Sequence, residues 1–566
     1  MSLPSPLFQT LPMLVMENTI EYLLGRPKKS FDVNDIDMHN KKRAILTPLL
    51  YVCQSWREAA LAFICDNCLL SFNGMSGEFE VMYPAWPVDF LLPHFPRDSI
   101  VSRVVVTAPR WFVMSHSEYI KTITRSIRKA ALFPSATTLV LVWGADSAEK
   151  RGRSRKTLLA AQDDVTKMVE FARCLRRVTP ALTRVVVSFG DADPVESGYT
   201  QLRARLVAEL CQGGITRLEA QSMNNALTTL DSMPITGLTS LAQKANLVCA
   251  PFAELAYRNV GTLKTLCIRA STEADWQTLI YGGTNTSVVY AHLTLLALGF
   301  GNIKSGEVWA KFEGVTPFPY LSTLDISDEY PFDDDLPFRG NGETLQNLHI
   351  PFRALIKNVL GRHEVLSRSG VTRMNSVRIY STNEPRGMIG DWVDNGVIEC
   401  QVRRLTEVTT ALFFTKETWK EHMFKAICSA PATAILRHFD CRYKTFKANH
   451  IIEVISALPS LISLTCATDD IGRDLERIPV KKLLSTLHER HYPLSSAFRK
   501  LIVFSVSTRD PGMELARIAM IIATICPNLA SVYTPIERRV KFRRAIATAI
   551  KKGPFRPFRS SFRHLI

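Results

Sequence analysis

Two clusters in this chain have residue types that could do chemistry. Cys65-Asp-Asn-Cys68 is a C-x-x-C pair. A zinc site needs a second pair of ligands at suitable spacing, and none follows. A thiol redox couple needs a thioredoxin-like setting, which the neighbouring residues do not supply. The pair therefore reads as two thiols closing a buried helix. Asp333, Asp334 and Asp335 carry the hard oxygens that calcium and magnesium favour. Three adjacent carboxylates do not close a coordination shell, so residues 328–335 read as a solvated acidic loop. The phosphate-cradling glycine motifs, the G-x-S-x-G nucleophile turn and the H-E-x-x-H zinc helix do not occur. The twelve histidines are scattered, with no pair at ligand spacing. The expectation is a non-enzymatic chain with no catalytic residue, no metal site and no cofactor.

Charge is the next candidate. The formal net charge is +16, and much of it is local. From residue 536 onward ten basic residues, among them Arg538, Arg539, Lys541, Arg543 and Arg544, face one acid, Glu537. That stretch supplies +9 of the +16. A basic segment of this kind permits contact with nucleic acid or an anionic surface, and is equally a solvated tail. The twelve cysteines are dispersed in mostly apolar settings, which suits a reducing cytoplasmic or nuclear compartment. No basic, then apolar leader opens the chain, and no apolar run reaches the ~20 residues of a membrane helix.

The elements that would carry a binding surface are legible from a repeated spacing. Leu321-Ser-Thr-Leu324-Asp-Ile326 reads L-x-x-L-x-I. The same spacing returns at Leu263/Leu266/Ile268, Leu293/Leu296/Leu298, Leu345/Leu348/Ile350 and Met374/Val377/Ile379. Counted on the middle residue, the steps are 30, 28, 24 and 29 residues. The last two apolar positions alternate like a short half-buried strand, and each step has room for a helix. Steps of this size point to a solenoid of leucine-rich-repeat type, with parallel strands on one face and helices on the other. Further strands are expected at residues 136–142, 182–188 and 215–219, with helices at 164–177 and 202–211 between them. The pattern blurs after Ile379 and returns at Leu461/Leu464/Cys466, Phe498/Leu501/Val503 and Leu529/Val532. Ten to thirteen repeats are expected. Residues 69–112 look β-rich and would form an irregular first repeat or a cap.

The N-terminal residues have a different pattern. Thr10 suits a helix N-cap with Pro12 early in the first turn. Leu11, Leu14, Val15, Ile20 and Leu23 fall along one helical side. A charged insert at 26–43 separates this from a second helical run over 46–65. The two halves, L-P-x-x-V-x-x-x-I-x-x-Y-L and L-L-x-V-C-x-x-W-R-x-A-A, resemble the F-box, a small helical module. Leu11, Pro12, Val15, Ile20 and Leu23 match its first half, and Leu50, Val52, Cys53, Trp56 and Arg57 its second. Leu14 stands where many F-boxes carry an acid, and the insert is longer than usual. The whole chain also resembles a large group of uncharacterised fungal F-box-like proteins of the same layout.

The fold expected is thus α/β: an irregular leucine-rich-repeat solenoid (69–535) behind a small all-helical F-box-like module (1–68), with a basic C-terminal segment (536–566). The resemblance implies a substrate receptor of an SCF-type ubiquitin ligase. In that reading Leu11, Pro12, Leu14 and Leu50 contact the small adaptor of cullin-based ligases. Val15, Ile20, Leu23, Val52 and Trp56 form the box core, and the solenoid holds an unidentified target protein. Two alternatives stay open: a repeat scaffold unrelated to ubiquitin, and a nucleic-acid or anionic-surface binder working through its basic segment. No membrane association is expected.

Overall fold

The computed structural model describes residues 16, 19–20, 44–64, 67–73, 78–82, 101–108, 116–129, 133–143, 162–189, 197–222, 235–243, 250–270, 273–282, 284, 286–300, 315–326, 341, 343–351, 373–380, 395–414, 421–446, 448–468, 497–506, 526 and 528–533. The chain divides into two compact units, Met1–Thr286 and Ser287–Ile566.

Helical residues in the first unit are 16, 19–20 and 44–49, followed by helix α1 (Gln54–Ile64). Eight strands follow among the described residues: β1 (Asn67–Asn73), β2 (Glu78–Met82), β3 (Arg103–Ala108), β4 (Thr138–Trp143), β5 (Arg184–Phe189), β6 (Arg217–Ser222), β7 (Ser240–Gln243) and β8 (Thr265–Ala270). β2 runs antiparallel to β1, and β1 runs parallel to β3. From β3 to β8 each strand pairs in parallel with the next in sequence. The β-rich residues 69–82 are therefore a hairpin added to the start of a parallel ladder. Helices α2 (His116–Lys129), α3 (Gln162–Val178), α4 (Ser197–Leu210), α5 (Ala250–Arg258) and α6 (Glu273–Tyr281) fall between or after these strands.

The second unit repeats the scheme with β9 (Leu295–Phe300), β10 (Thr323–Ile326), β11 (Asn347–Pro351), β12 (Ser376–Tyr380), β13 (Ala411–Phe414), β14 (His438–Phe446), β15 (Ser463–Thr468), β16 (Lys500–Val506) and β17 (Ser531–Tyr533). All are parallel and paired in sequence order. Its described helices are α7 (Asn395–Val408), α8 (Glu421–Cys428) and α9 (Ala448–Ala457). The chain is a mixed α/β protein built on parallel ladders, an arrangement compatible with a solenoid.

One frame of three buried positions generates every strand from β3 to β16, and β17 keeps the buried first position, Leu529. The first position sits in the turn before the strand, where its N–H closes onto a carbonyl three or four residues back: Leu293 onto Tyr290, Leu321 onto Phe318, Leu263 onto Asn259 and Leu345 onto Asn341. The second and third positions alternate along the strand and face the same side. Leu266, Leu296, Leu324, Leu348, Val377 and Leu501, all at the second position, are each 0% exposed. A Leu at such a site contributes about 1.5–3 kcal/mol relative to an exposed one.

Three frames were not resolved by the spacing alone: Leu238/Leu241/Gln243, Thr409/Leu412/Phe414 and Leu436/Phe439/Cys441. With them the described strands carry fourteen complete frames, β3 to β16, and part of another at β17, against ten to thirteen expected. In the first two of the three, Gln243 and Thr409 put a polar residue at a buried frame position while keeping the geometry.

Backbone hydrogen bonds explain why consecutive frames stack in one register. At most of the described junctions the carbonyl just before a strand accepts two N–H groups from the next frame. Ser322 and Thr323 both donate to Thr294, Gln346 and Asn347 to Ser322, and Arg499 and Lys500 to Ile462. Hydroxyls reinforce the column: Thr239 Oγ1 donates to the Thr216 carbonyl (3.1 Å) and Ser322 Oγ to that of Thr294 (2.9 Å). On the helical side of the first unit, Arg128 pairs with Glu170, and Arg173 Nε donates to Glu209 Oε1 at 2.9 Å. These contacts join α2 to α3 and α3 to α4.

Buried Asn259 ties two frames together. Its Oδ1 accepts from the Leu238 N–H (2.9 Å), while its Nδ2 donates to the carbonyls of Ile235 (3.0 Å) and Leu255 (2.8 Å). Asn341, 0% exposed, occupies the same place four residues before Leu345. Thr262 and Thr344 complete the parallel, each donating to the first-position carbonyl of the preceding frame, Leu238 (2.7 Å) and Leu321 (3.0 Å). The unit is thus N-x-x-T-L-x-x-L-x-I at both places.

Candidate functional site

Parallel strands have two faces, and the frame commits one of them to the core. The alternate residues form the other face, and its character differs between the units. In the first unit Val105, Val140 and Val186 stand in register and are buried, with Leu69 and Val142 packed against them. Glu219 on the same face is buried and accepts from Arg184 Nη2 at 2.8 Å. Here the alternate face is filled.

On β10 to β12 of the second unit it is polar and only partly covered. The register aligns Thr323, Asn347 and Ser376 in one row and Asp325, His349 and Arg378 in the next. Asn347 Nδ2 donates to Thr323 Oγ1 (3.3 Å), and Ser376 Oγ to Asn347 Oδ1 (2.7 Å). His349 Nδ1 lies 3.2 Å from Asp325 Oδ2, and these side chains keep 25% and 36% exposure. Arg378 stacks over the Phe413 ring at 5.6 Å, within cation–π range. Asp440 is held by Arg442, whose N–H and Nε donate to Oδ1 at 3.2 and 3.1 Å. His438 Nδ1 is 2.8 Å from Ser463 Oγ. Partial burial, then the charges of Arg437 and Lys500, lower the His438 pKa from its ordinary value. The row is pre-ordered by contacts between frames and offers donors, acceptors and both signs of charge to a ligand. Asp325, His349 and Arg378 lie off the buried frame positions, so their placement is free to serve recognition.

At the N-terminus, Met16 and Ile20 are helical and buried, one turn apart. Trp56 is 6% exposed on α1, alongside buried Ala59, Ala60 and Leu61. Leu50 and Val52 are half-buried in the turn before α1, so Val52 is less enclosed than a core residue. Tyr51 between them is 70% exposed. Arg57 Nε donates to the Leu50 carbonyl at 3.0 Å and fixes that turn against α1. Neither Tyr51 nor this role of Arg57 follows from the apolar spacing, which registers only side chains turned inward.

Leu11, Pro12, Leu14, Val15 and Leu23 lie outside the described residues, as do the acidic triplet Asp333–335 and the basic residues Arg538, Arg539, Lys541, Arg543 and Arg544. Cys68 falls on β1 rather than at the end of α1, and Cys65 lies outside the described residues. Among the described residues, no group of three histidine, cysteine or acidic side chains could hold a metal ion. No described helix is long and apolar enough to cross a membrane. Comparison with protein-family models and with curated proteins finds no match to this chain.

Proposed function

We propose that this chain is a non-catalytic protein-binding receptor, a substrate-recognition subunit of an SCF-type ubiquitin ligase working in the cytoplasm or nucleus. The repeats are of leucine-rich type, and the N-terminal helices form an F-box-like module. The observation that carries the binding role is the open polar row Asp325–His349–Arg378, ordered between frames and facing away from the core. Such a surface suits a folded or extended polypeptide, because the row runs across successive strands and offers a polar group at each.

The adaptor role rests on the box resemblance. Buried Ile20 and Trp56 and the exposed Tyr51 beside Leu50 support it. The adaptor would lie against Leu11, Pro12, Leu14 and Leu50, and the chemistry of ubiquitin transfer would belong to partner enzymes. The repeats' asparagine and threonine at fixed places before the strand, Asn259/Thr262 and Asn341/Thr344, support the leucine-rich-repeat reading.

Co-purification with the cullin-ligase adaptor tests the proposal. Wild-type protein should retain the adaptor. The pair Leu11→Ala/Pro12→Ala should lose it while thermal unfolding of the repeats stays unchanged. Wild type that retains no adaptor, or a double variant that binds as wild type does, removes the ubiquitin role and leaves a repeat scaffold as the better account.

A further inference from the structure

The starts of β14, β15 and β16 bring four cationic or cation-forming side chains onto one patch of the second unit. Arg437 and His438 open β14, and Arg499 and Lys500 open β16. The register His438–Ser463–Lys500 sets the two pairs two strands apart, about 9.6 Å at the ~4.8 Å spacing of paired strands. Backbone bonds hold the arginines in one row: the Ile462 N–H donates to the Arg437 carbonyl (2.7 Å) and the Arg499 N–H to that of Ile462 (2.9 Å). Arg437, His438 and Arg499 are exposed.

Among the described residues no acid pairs with Arg437 or Arg499. Strands β14 to β17 contain one acid, Asp440, and Arg442 already occupies it. After partial burial, the charges of Arg437 and Lys500 lower the His438 pKa, a second sign that Arg437 and Lys500 set one positive field at this histidine. A patch of fixed cations repelling each other costs stability, and an anionic ligand relieves that cost.

We propose that this patch docks a carboxylate-rich segment of the polypeptide that the receptor binds. The inference rests on the receptor reading above and names the chemistry of its target. Carboxylates suit it in geometry as well as charge: arginine forks match a carboxylate with two parallel hydrogen bonds, and Ser463 and His438 add polar contacts between the columns. An extended peptide crossing the strands would meet both columns. Nucleic acid fits less well, since its affinity accumulates over many phosphates and this patch spans about two columns of cations.

Fluorescence anisotropy with a labelled octa-glutamate peptide and the full chain tests the proposal at low and moderate salt. Arg437→Gln/Arg499→Gln should weaken binding about tenfold, ~1.4 kcal/mol. Arg437→Lys/Arg499→Lys should retain most of the affinity, and unchanged thermal unfolding shows that both variants fold. Lys121→Gln/Arg125→Gln, on exposed positions of α2, removes the same charge elsewhere and should change binding less than twofold. Equal losses in the patch and control variants would mean attraction to net charge alone and overturn the proposal. So would no loss in either, or an oligothymidylate of matched charge that binds more tightly and depends on the same arginines. Adaptor co-purification should be indifferent to Arg437 and Arg499, so this proposal can fail while the receptor reading stands.

Discussion

Replacing Asn259 by alanine should open the junction between β7 and β8 without disturbing the second unit. The side chain is 2% exposed and makes three hydrogen bonds, all to backbone groups. Alanine leaves the Leu238 N–H and the Ile235 and Leu255 carbonyls without this partner. A buried group so stranded costs about 1–3 kcal/mol, and a donor with no alternative lies toward the top of that range. Carbonyls tolerate loss better, since each has a second lone pair. The total expected is about 3 kcal/mol, close to a 150-fold rise in local opening at 1.4 kcal/mol per tenfold. Hydrogen exchange read by mass spectrometry on peptides covering 235–243 reports that opening directly. Global melting would blur it, because a chain of two units need not unfold in one step. Peptides from β14 to β16 serve as the internal reference and should exchange as in wild type. If Asn259→Ala leaves the 235–243 exchange within a factor of about three, ~0.7 kcal/mol, the asparagine does not carry the frame junction and the argument from its three bonds is refuted.

Gly282 ends α6 with φ +53 and its N–H on the Thr278 carbonyl at 2.8 Å. A Cβ there would strike the Tyr257 ring, so Gly282→Ala should lose more than the ~1–2 kcal/mol of left-handed backbone strain alone. Urea unfolding of the single and double variants should show that loss shrinking when Tyr257→Ala is already present, and additive losses would contradict the contact. Burial pushes the Cys211 and Cys466 thiols up to about 12, whereas Cys400 is exposed. Iodoacetamide at pH 8 should label Cys400 and leave Cys211 and Cys466 unlabelled in the native protein, as peptide mapping can check. Because their folded pKa values lie above the ordinary 9.0, the folded state holds protons that the unfolded chain releases. That part of the stability is complete below pH 9 and falls as pH rises toward 12, by at most ~1.4 kcal/mol per pH unit and thiol. A denaturation midpoint flat from pH 9 to 11 would contradict the burial of these thiols.

The strand-forming positions were legible because burial acts on residue type locally. A leucine two positions before an isoleucine already alternates like a strand, and the repeat distance shows that strand recurring. The helix expected at 164–177 appears as α3 (Gln162–Val178) for the same reason, its Met168, Ala172 and Leu175 turned to one side. Where a frame carries Gln243 or Thr409, composition no longer marks the face, and backbone register with the neighbouring frames keeps it. The open face was a different problem. Asp325 and His349 are 24 residues apart, and no local pattern joins them until β10 and β11 pair in register. Val186 and His349 both sit at alternate-face positions of a parallel strand, yet one is buried and the other open. Periodicity states only that such residues turn away from the core. Whether that face is filled or free depends on what packs against it, which is a property of the tertiary structure. The Arg437–Arg499 patch likewise exists only because pairing through Ile462 lines up two arginines 62 residues apart.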